Sequence, residues 1–217
     1  VVGGGNAGYV SALLFKQSFP NKEVRIIKSK DIGTIGVGES SSEHFADFCR
    51  YCNIPILELI LEAKSTFKNG VYFENWTSEN YLHNINVFNC AAAVGDHLPY
   101  MQNIVANNRP NYEMTNWDAL KNQISLKYFN DLNNSPTNQF HFDTQALNKF
   151  LEKICRSRNI LIIEDDIDSV DIDSESGNIT SVNGSKKYHA DFFIDCSGFS
   201  RLLLNKACLL YTSPSPR

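Results

Sequence analysis

The chain has 217 residues, 42% of them hydrophobic, with 20 Lys plus Arg against 24 Asp plus Glu and a formal net charge of −4 at pH 7. That length and apolar content build a folded core and exclude a disordered chain. The mild acidity excludes the dense basic face of a nucleic-acid binder, and no run of 18 apolar residues is present to make a helical membrane span.

Taken in chain order, Val1-Val2 reads as the end of a strand and Gly3-Gly-Gly-Asn-Ala-Gly8 as a turn. Ala7 to Ser18 carries Ala, Val, Leu and Phe at helical spacing until Pro20-Asn21 breaks it. Glu23-Val-Arg-Ile-Ile27 follows as a second strand. Strand, glycine turn, helix and strand within about thirty residues make a βαβ unit, which implies parallel strands. Helices are expected around 43–52 and 55–64, and a strand over Val71–Trp76. Residues 77–139 are polar and Asn-rich, with helical patches near 100–107 and 115–125; they read as an insertion of unassigned topology.

Regular pattern returns at Asp143, which is placed to cap a helix over Thr144–Arg156 whose Leu147, Phe150, Leu151 and Ile154 share one face. Ile160–Ile163 reads as a strand. Ile167–Ile172, Ile179–Val182 and Lys187–His189 read as an antiparallel meander, turned by Gly177-Asn178 and Asn183-Gly184. Asp191-Phe-Phe-Ile-Asp195 reads as a further buried strand. Residues 208–217 lack periodicity and resemble a translated sequencing adapter; the alternative is a genuine Pro/Ser-rich tail, disordered by composition. With an opening strand that lacks Met, they suggest a piece of a longer protein.

Six cysteines stand at 49, 52, 90, 155, 196 and 208 without paired metal-ligand spacing, so no metal site is expected. Cys49 and Cys52 form a C-x-x-C. It reads either as a redox pair or, in the absence of a thioredoxin-like surround, as two buried thiols of a reduced cytoplasmic protein; the second reading is the stronger.

Gly3, Gly5 and Gly8 match G-x-G-x-x-G. The first glycine permits the tight turn, the second lets the backbone approach phosphate, and the third lets helix pack on strand. A pyrophosphate would then sit on the helix N-terminus, where free N–H groups and the helix dipole favour an anion. Gly3, Gly5, Asn6, Ala7 and Gly8 are therefore candidate dinucleotide-binding residues; the alternative is an ordinary glycine-rich turn. The second strand should end in an acid for the adenosine ribose hydroxyls. Lys28, followed by Ser29, occupies that place. Lysine cannot accept from a hydroxyl, and a lysine there also suits a 2′-phosphate, so the ribose end is left open.

Four further segments carry a family resemblance. Ile32-Gly-Thr-Ile-Gly-Val-Gly-Glu-Ser40 resembles the flavin strap of the flavin-dependent tryptophan halogenases. Phe67-Lys68, eight residues before Trp76, matches the spacing around that family's active-site lysine. Phe140-His-Phe-Asp143 and Ala190-Asp-Phe-Phe-Ile-Asp-Cys-Ser-Gly-Phe199 complete the set. The resemblance implies an α/β fold: a Rossmann-like FAD-binding domain over 1–207, truncated, with a parallel sheet and an antiparallel meander, and 77–139 on the substrate side. It implies FADH2 supplied by a separate flavin reductase, with halide and O2 as co-substrates. Hypohalous acid would travel through an internal tunnel to a small aromatic partner, tryptophan or indole-like, with Lys68 positioning the halogen.

The strap residues Gly36, Val37, Gly38 and Glu39, and Gly198 beyond the last strand, are implied cofactor neighbours. Two plainer readings stay open: Glu39 as a carboxylate at the start of the 43–52 helix, and Gly198 as a strand-end turn. Lys64 reads as a surface residue, and His141 with Asp143 as turn and cap rather than an acid–base pair. The family's Trp-x-Trp-x-Ile-Pro signature, its glutamate and its halide segment are absent from these 217 residues, so the polypeptide by itself is expected to be inactive and poorly stable. The competing readings are another FAD monooxygenase, such as an aromatic hydroxylase, and an inert dinucleotide-binding fragment. The arene, the halide and the oligomeric state are not legible.

Overall fold

The computed structural model describes residues 1–36, 38–42, 44–68, 70–76, 81–84 and 139–207. The helical patches expected near 100–107 and 115–125, the 208–217 tail, Val37, Cys90 and Cys208 lie outside the described residues. The chain divides into two compact units: Val1–Glu39 with Phe48–Ser65 and Phe142–Arg217, and Ser40–Asp47 with Thr66–His141.

The first unit is built on parallel strands. Val2 bridges Ile27 on one side and Asp195 on the other, both in parallel. Strand β1 (Arg25–Lys28) continues outward to β7 (Leu161–Glu164) in parallel register, Arg25 opposite Leu161 and Lys28 opposite Glu164. Helix α1 (Asn6–Ser18) connects Val2 to β1 and buries Tyr9, Ala12 and Leu13. This is the βαβ unit that the sequence pattern predicts. Helix α4 (Thr144–Ser157) buries Leu147, Phe150, Leu151 and Ile154, the face set by its 3.6-residue period. Burial of each such side chain contributes about 1.5–3 kcal/mol. The Asp143 carboxylate accepts from the Gln145 and Ala146 N–H groups at 2.9 Å each, which makes it the N-cap.

Strands β8 (Ser169–Ile172), β9 (Ile179–Asn183) and β10 (Lys187–His189) form the antiparallel meander, with β9 central. Val182 joins Val2, Ile27 and Leu203 in one buried cluster, so meander and parallel strands share a core. Helices α2 (His44–Tyr51) and α3 (Ile56–Glu62) form where helices are expected, and a short α5 spans Leu204–Ala207.

The segment 191–195 differs from expectation. It is not a buried strand: Phe192 is 66% exposed, and the only ladder contact among the described residues is the Val2–Asp195 bridge. Strand formation needs a run of partners. Here a single residue opposes the segment, through Val2 N–H to Ile194 O and Cys196 N–H to Val2 O, at 2.9 and 2.8 Å.

In the second unit, β3 (Thr66–Phe67) pairs antiparallel with the part of β6 (Phe140–Asp143) that belongs to the same unit, Thr66 opposite His141 and Phe67 opposite Phe140. Phe45 and Phe67 close on the buried Phe140 ring, at centroid distances of 6.4 and 5.6 Å. The strand expected over Val71–Trp76 is shorter, β4 (Gly70–Phe73), and pairs antiparallel with β5 (Tyr81–Asn84). Asn75, with φ +56°, turns the chain out of β4 and leaves Trp76 exposed. A three-residue β2 spans Gly38–Ser40. Among the described residues, no helix is long and apolar enough to cross a membrane.

Candidate cofactor site and lysine segment

The glycine turn sits between Val2 and α1 and is held from three directions. Gly3 takes φ +120°, and a Cβ added there would lie 2.1 Å from the Cys196 carbonyl oxygen. A Cβ at Gly8 would lie 2.0 Å from the Gly3 carbonyl oxygen. Both positions exclude any side chain for steric reasons. Gly5 is the opposite case: among the described residues nothing stands within 4 Å of where its Cβ would be. Its backbone therefore faces open space at the head of α1. That helix has no side-chain cap bond and no acid in its first turn to compete for the N–H groups. This combination fits a diphosphate: close-packed glycines behind, an open glycine in front, and helix N–H donors that no side-chain cap takes among the described residues.

The third support is α4. Asn148 donates from Nδ2 to the Gly4 carbonyl at 3.0 Å and to Asn6 Oδ1 at 3.1 Å, and Asn6 Nδ2 reaches the Thr144 carbonyl at 3.4 Å. The Asn6 side chain thus braces the turn, leaving its backbone N–H for a ligand; Ala7 beside it is exposed. Asn148 lies 144 residues from Gly4, and no local motif marks it.

Lys28 ends β1 twenty residues after Gly8. Its Nζ lies 2.9 Å from Glu152 Oε2 and 3.9 Å from Glu164 Oε1. Tyr9 donates to the same Glu152 oxygen at 2.7 Å, and Arg156 holds Oε1 from Nε and Nη2 at 3.0 and 2.6 Å. Burial opposes ionisation of Glu152, but the bonds from Tyr9, Arg156 and Lys28 outweigh it and bring its pKa to about 2. Burial first, then the bond to Glu152, pushes the Tyr9 hydroxyl upward. Sequence reasoning missed Tyr9, Glu152 and Arg156, although their i, i+4 spacing on α4 marks Glu152 and Arg156 as a pair. Ser29 turns the chain instead: its Oγ accepts the Asp31 and Ile32 N–H groups at 3.2 Å.

In the strap, Gly36 has φ +107°, and a Cβ there would lie 3.3 Å from Glu39 Oε1 and 3.4 Å from Thr144 Oγ1. Gly38 has room for an ordinary side-chain contact. Glu39 is exposed on β2; α2 begins at His44 with Asp47 as its first-turn acid, so Glu39 does not start that helix. Gly198 has φ +65° with nothing within 4 Å of its Cβ position. The turn before it is fixed by Asp195, whose carboxylate accepts from Ser197 N–H and Oγ and from the Leu203 and Leu204 N–H groups at 2.6–3.0 Å. A cavity of about 630 Å³ lies elsewhere in this unit, lined by Val2, Phe15, Ile27, Val182, Tyr188 and Phe193 among others, with no residue of the glycine turn in its wall.

Lys68 belongs to the second unit and follows β3. Its backbone N–H donates to the Gln139 carbonyl at 2.9 Å. Its Nζ reaches Ser40 Oγ at 3.4 Å and the Ser41 carbonyl at 3.5 Å, both at the outer limit of a hydrogen bond. Ser41 is itself fixed, donating its N–H to the Phe140 carbonyl at 2.8 Å and accepting the Phe140 N–H on Oγ at 2.9 Å. Among the described residues the ammonium is thus lightly held on a firm backbone. Lys64 is exposed, 3.9 Å from Asp143. Asp143 caps α4 as expected, but His141 is exposed on strand β6 opposite Thr66 and not in a turn. Cys49, Cys52 and Cys155 are free, buried thiols. Burial pushes Cys49 and Cys155 up to about 12, and Cys52 upward too, which favours the inert reading of the C-x-x-C.

The tryptophan halogenase family model matches residues 1–213. Among curated relatives, a 7-chloro-L-tryptophan 6-halogenase of Kutzneria sp. (strain 744) is 27% identical over 256 residues, covering 95% of this chain and 45% of that protein. The tryptophan 7-halogenase RebH of Lentzea aerocolonigenes is 28% identical over 244 residues, covering 95% and 43%. Among solved structures, a tryptophan C-6 flavin-dependent halogenase from taromycin biosynthesis superposes with a TM-score of 0.76 at 26% identity over 95% of this chain and 44% of that one. The tryptophan 6-halogenase SttH of Streptomyces toxytricini gives 0.77 at 23% identity over 95% and 45%. The chain spans less than half the length of these relatives. With a parallel βαβ unit, a glycine turn closed by its own backbone and a family match over almost its whole length, the chain belongs to the tryptophan halogenase family.

Proposed function

We propose that the complete protein is an FADH2-dependent halogenase acting on a small aromatic substrate, tryptophan or indole-like. The glycine turn grips the cofactor pyrophosphate, and Lys68 positions the halogen. The observation that carries the cofactor half is the contrast within the turn: Gly3 and Gly8 are sterically closed while Gly5 is open. The Gly5, Asn6 and Ala7 backbone would hold the diphosphate, Gly8 would let α1 stand close to it, and Gly36, Gly38, Glu39 and Gly198 would line the path of the flavin. Lys28 and Ser29 stand at the adenosine end.

When bound, the reduced flavin, supplied by a separate flavin reductase, uses O2 to oxidise halide to hypohalous acid. Lys68 then has the chemistry required of this chain. Its ammonium is a compact donor on a flexible stem, and its contacts to Ser40 and Ser41 are long enough to exchange for a better partner. Donating to hypohalous acid orients the electrophilic halogen toward the arene. Once its ammonium has lost a proton, the neutral amine can instead take the halogen as a haloamine: the N–X bond forms as the O–X bond breaks, and the hydroxide leaves as water with a proton from the amine nitrogen.

The test is Lys68→Ala in the complete protein with FADH2, O2, halide and a panel of indoles and phenols. Halogenated product should vanish while flavin oxidation continues. A variant that still forms product at the parent rate excludes Lys68 as the halogen-positioning group. An aromatic hydroxylase would form hydroxylated product in both proteins.

A further inference from the structure

The strand end that ordinarily supplies an acid to the adenosine ribose supplies Lys28 instead, and its surroundings are specific. Its stem lies against the glycine turn: a Cβ added at Gly4 would meet the Lys28 Cβ at 2.5 Å. Its side chain is one-fifth exposed, and its Nζ donates to Glu152 at 2.9 Å. An ammonium carries three donors, so two remain for other partners beside the turn. Glu152 has no such reserve. Tyr9 and Lys28 occupy one oxygen and Arg156 occupies the other twice. A carboxylate offers about four acceptor positions, so ribose protons find none open there.

The charge count points the same way. Lys28 and Arg156 are matched by Glu152 and Glu164, each within 4 Å of Lys28 or Arg156. A 2′-phosphate arriving at Lys28 meets no surplus positive charge and two carboxylates.

Building on the FAD reading above, we propose that the ribose contact in this protein is inverted in polarity. The Lys28 ammonium donates to the ribose hydroxyl oxygens, and Glu152 is a positioning residue that holds the ammonium on the turn and cancels its charge. The site therefore selects a plain ribose over a 2′-phosphorylated one. Tyr9 and Arg156 act one step further back, by fixing Glu152.

The test is a binding measurement on the complete protein, independent of turnover. FAD is titrated into the parent, Lys28→Met and Glu152→Gln proteins by flavin fluorescence. Bound FAD is then displaced with ADP-ribose and with 2′-phospho-ADP-ribose. Charge-assisted hydrogen bonds of this kind are worth about tenfold in affinity, so Lys28→Met should weaken FAD by about that factor. The parent should prefer ADP-ribose. Glu152→Gln frees the Lys28 charge and should shift the preference toward the 2′-phosphate by about tenfold, whereas a merely structural role would weaken both ligands alike. The proposal is overturned if Lys28→Met binds FAD as the parent does, if the parent prefers 2′-phospho-ADP-ribose, or if Glu152→Gln leaves the ratio unchanged. The ligand comparison in the parent needs no variant to fold. A parent that shows no saturable FAD binding contradicts the cofactor reading itself, a separate result.

Discussion

The glycine turn and the Lys68 segment are built on different principles. The turn is fixed by atoms from across the chain: the Cys196 carbonyl beneath Gly3, Asn148 on the Gly4 carbonyl, and the Lys28 stem against Gly4. A side chain at Gly3 or Gly8 would displace backbone, and one at Gly4 the Lys28 stem. At Lys68 the backbone is anchored to Gln139, while among the described residues the ammonium makes two long contacts, at 3.4 and 3.5 Å. A cofactor that must bind in one pose calls for the first arrangement. A group that must exchange partners with a transient reagent calls for the second.

The largest effects should come from breaking the frame behind the turn. Leu151→Ala removes a fully buried side chain from α4 and should cost about 2–5 kcal/mol of stability, read as a lowered denaturation midpoint in the complete protein. Asn148→Ala should act more narrowly, weakening FAD severalfold through the freed Gly4 carbonyl while leaving the midpoint nearly in place; equal FAD affinity would show that the turn does not need this brace.

Acid should loosen the same frame. Glu152 has its pKa lowered from an ordinary 4.5 to about 2. A depressed acid contributes stability that is fully present above its unfolded pKa and is lost as pH falls through the folded one. The difference in melting temperature between parent and Glu152→Gln should therefore shrink between about pH 5 and about pH 2; a constant gap would remove the linkage. The smallest effect concerns the thiols. Cys49 and Cys155, at about 12 and fully buried, should stay unlabelled by iodoacetamide near pH 8 until the protein unfolds.

Local pattern made much of this legible. The βαβ opening, the apolar face of α4 and the Asp143 cap depend on neighbours a few residues apart, and each stands where the sequence puts it. The glycine spacing marked the turn for the same reason. What escaped depends on distant partners. Glu152 lies 124 residues from Lys28 and Asn148 lies 144 from Gly4, so no window of sequence joins them. The 191–195 segment has the apolar content of a strand, but strand formation is decided by what lies alongside, and among the described residues only Val2 forms a ladder contact with it. Ser29 carried a plausible motif position, yet its hydroxyl is used to turn the chain toward the strap.

Cofactor grip and halogen positioning should separate in one titration. FAD binding to the complete protein should be saturable. It should be unchanged within about twofold in Lys68→Ala and lost in Gly3→Ala, whose Cβ would sit 2.1 Å from the Cys196 carbonyl oxygen. A Gly3→Ala protein that binds FAD as the parent does, or a Lys68→Ala protein that does not bind it, would contradict the account.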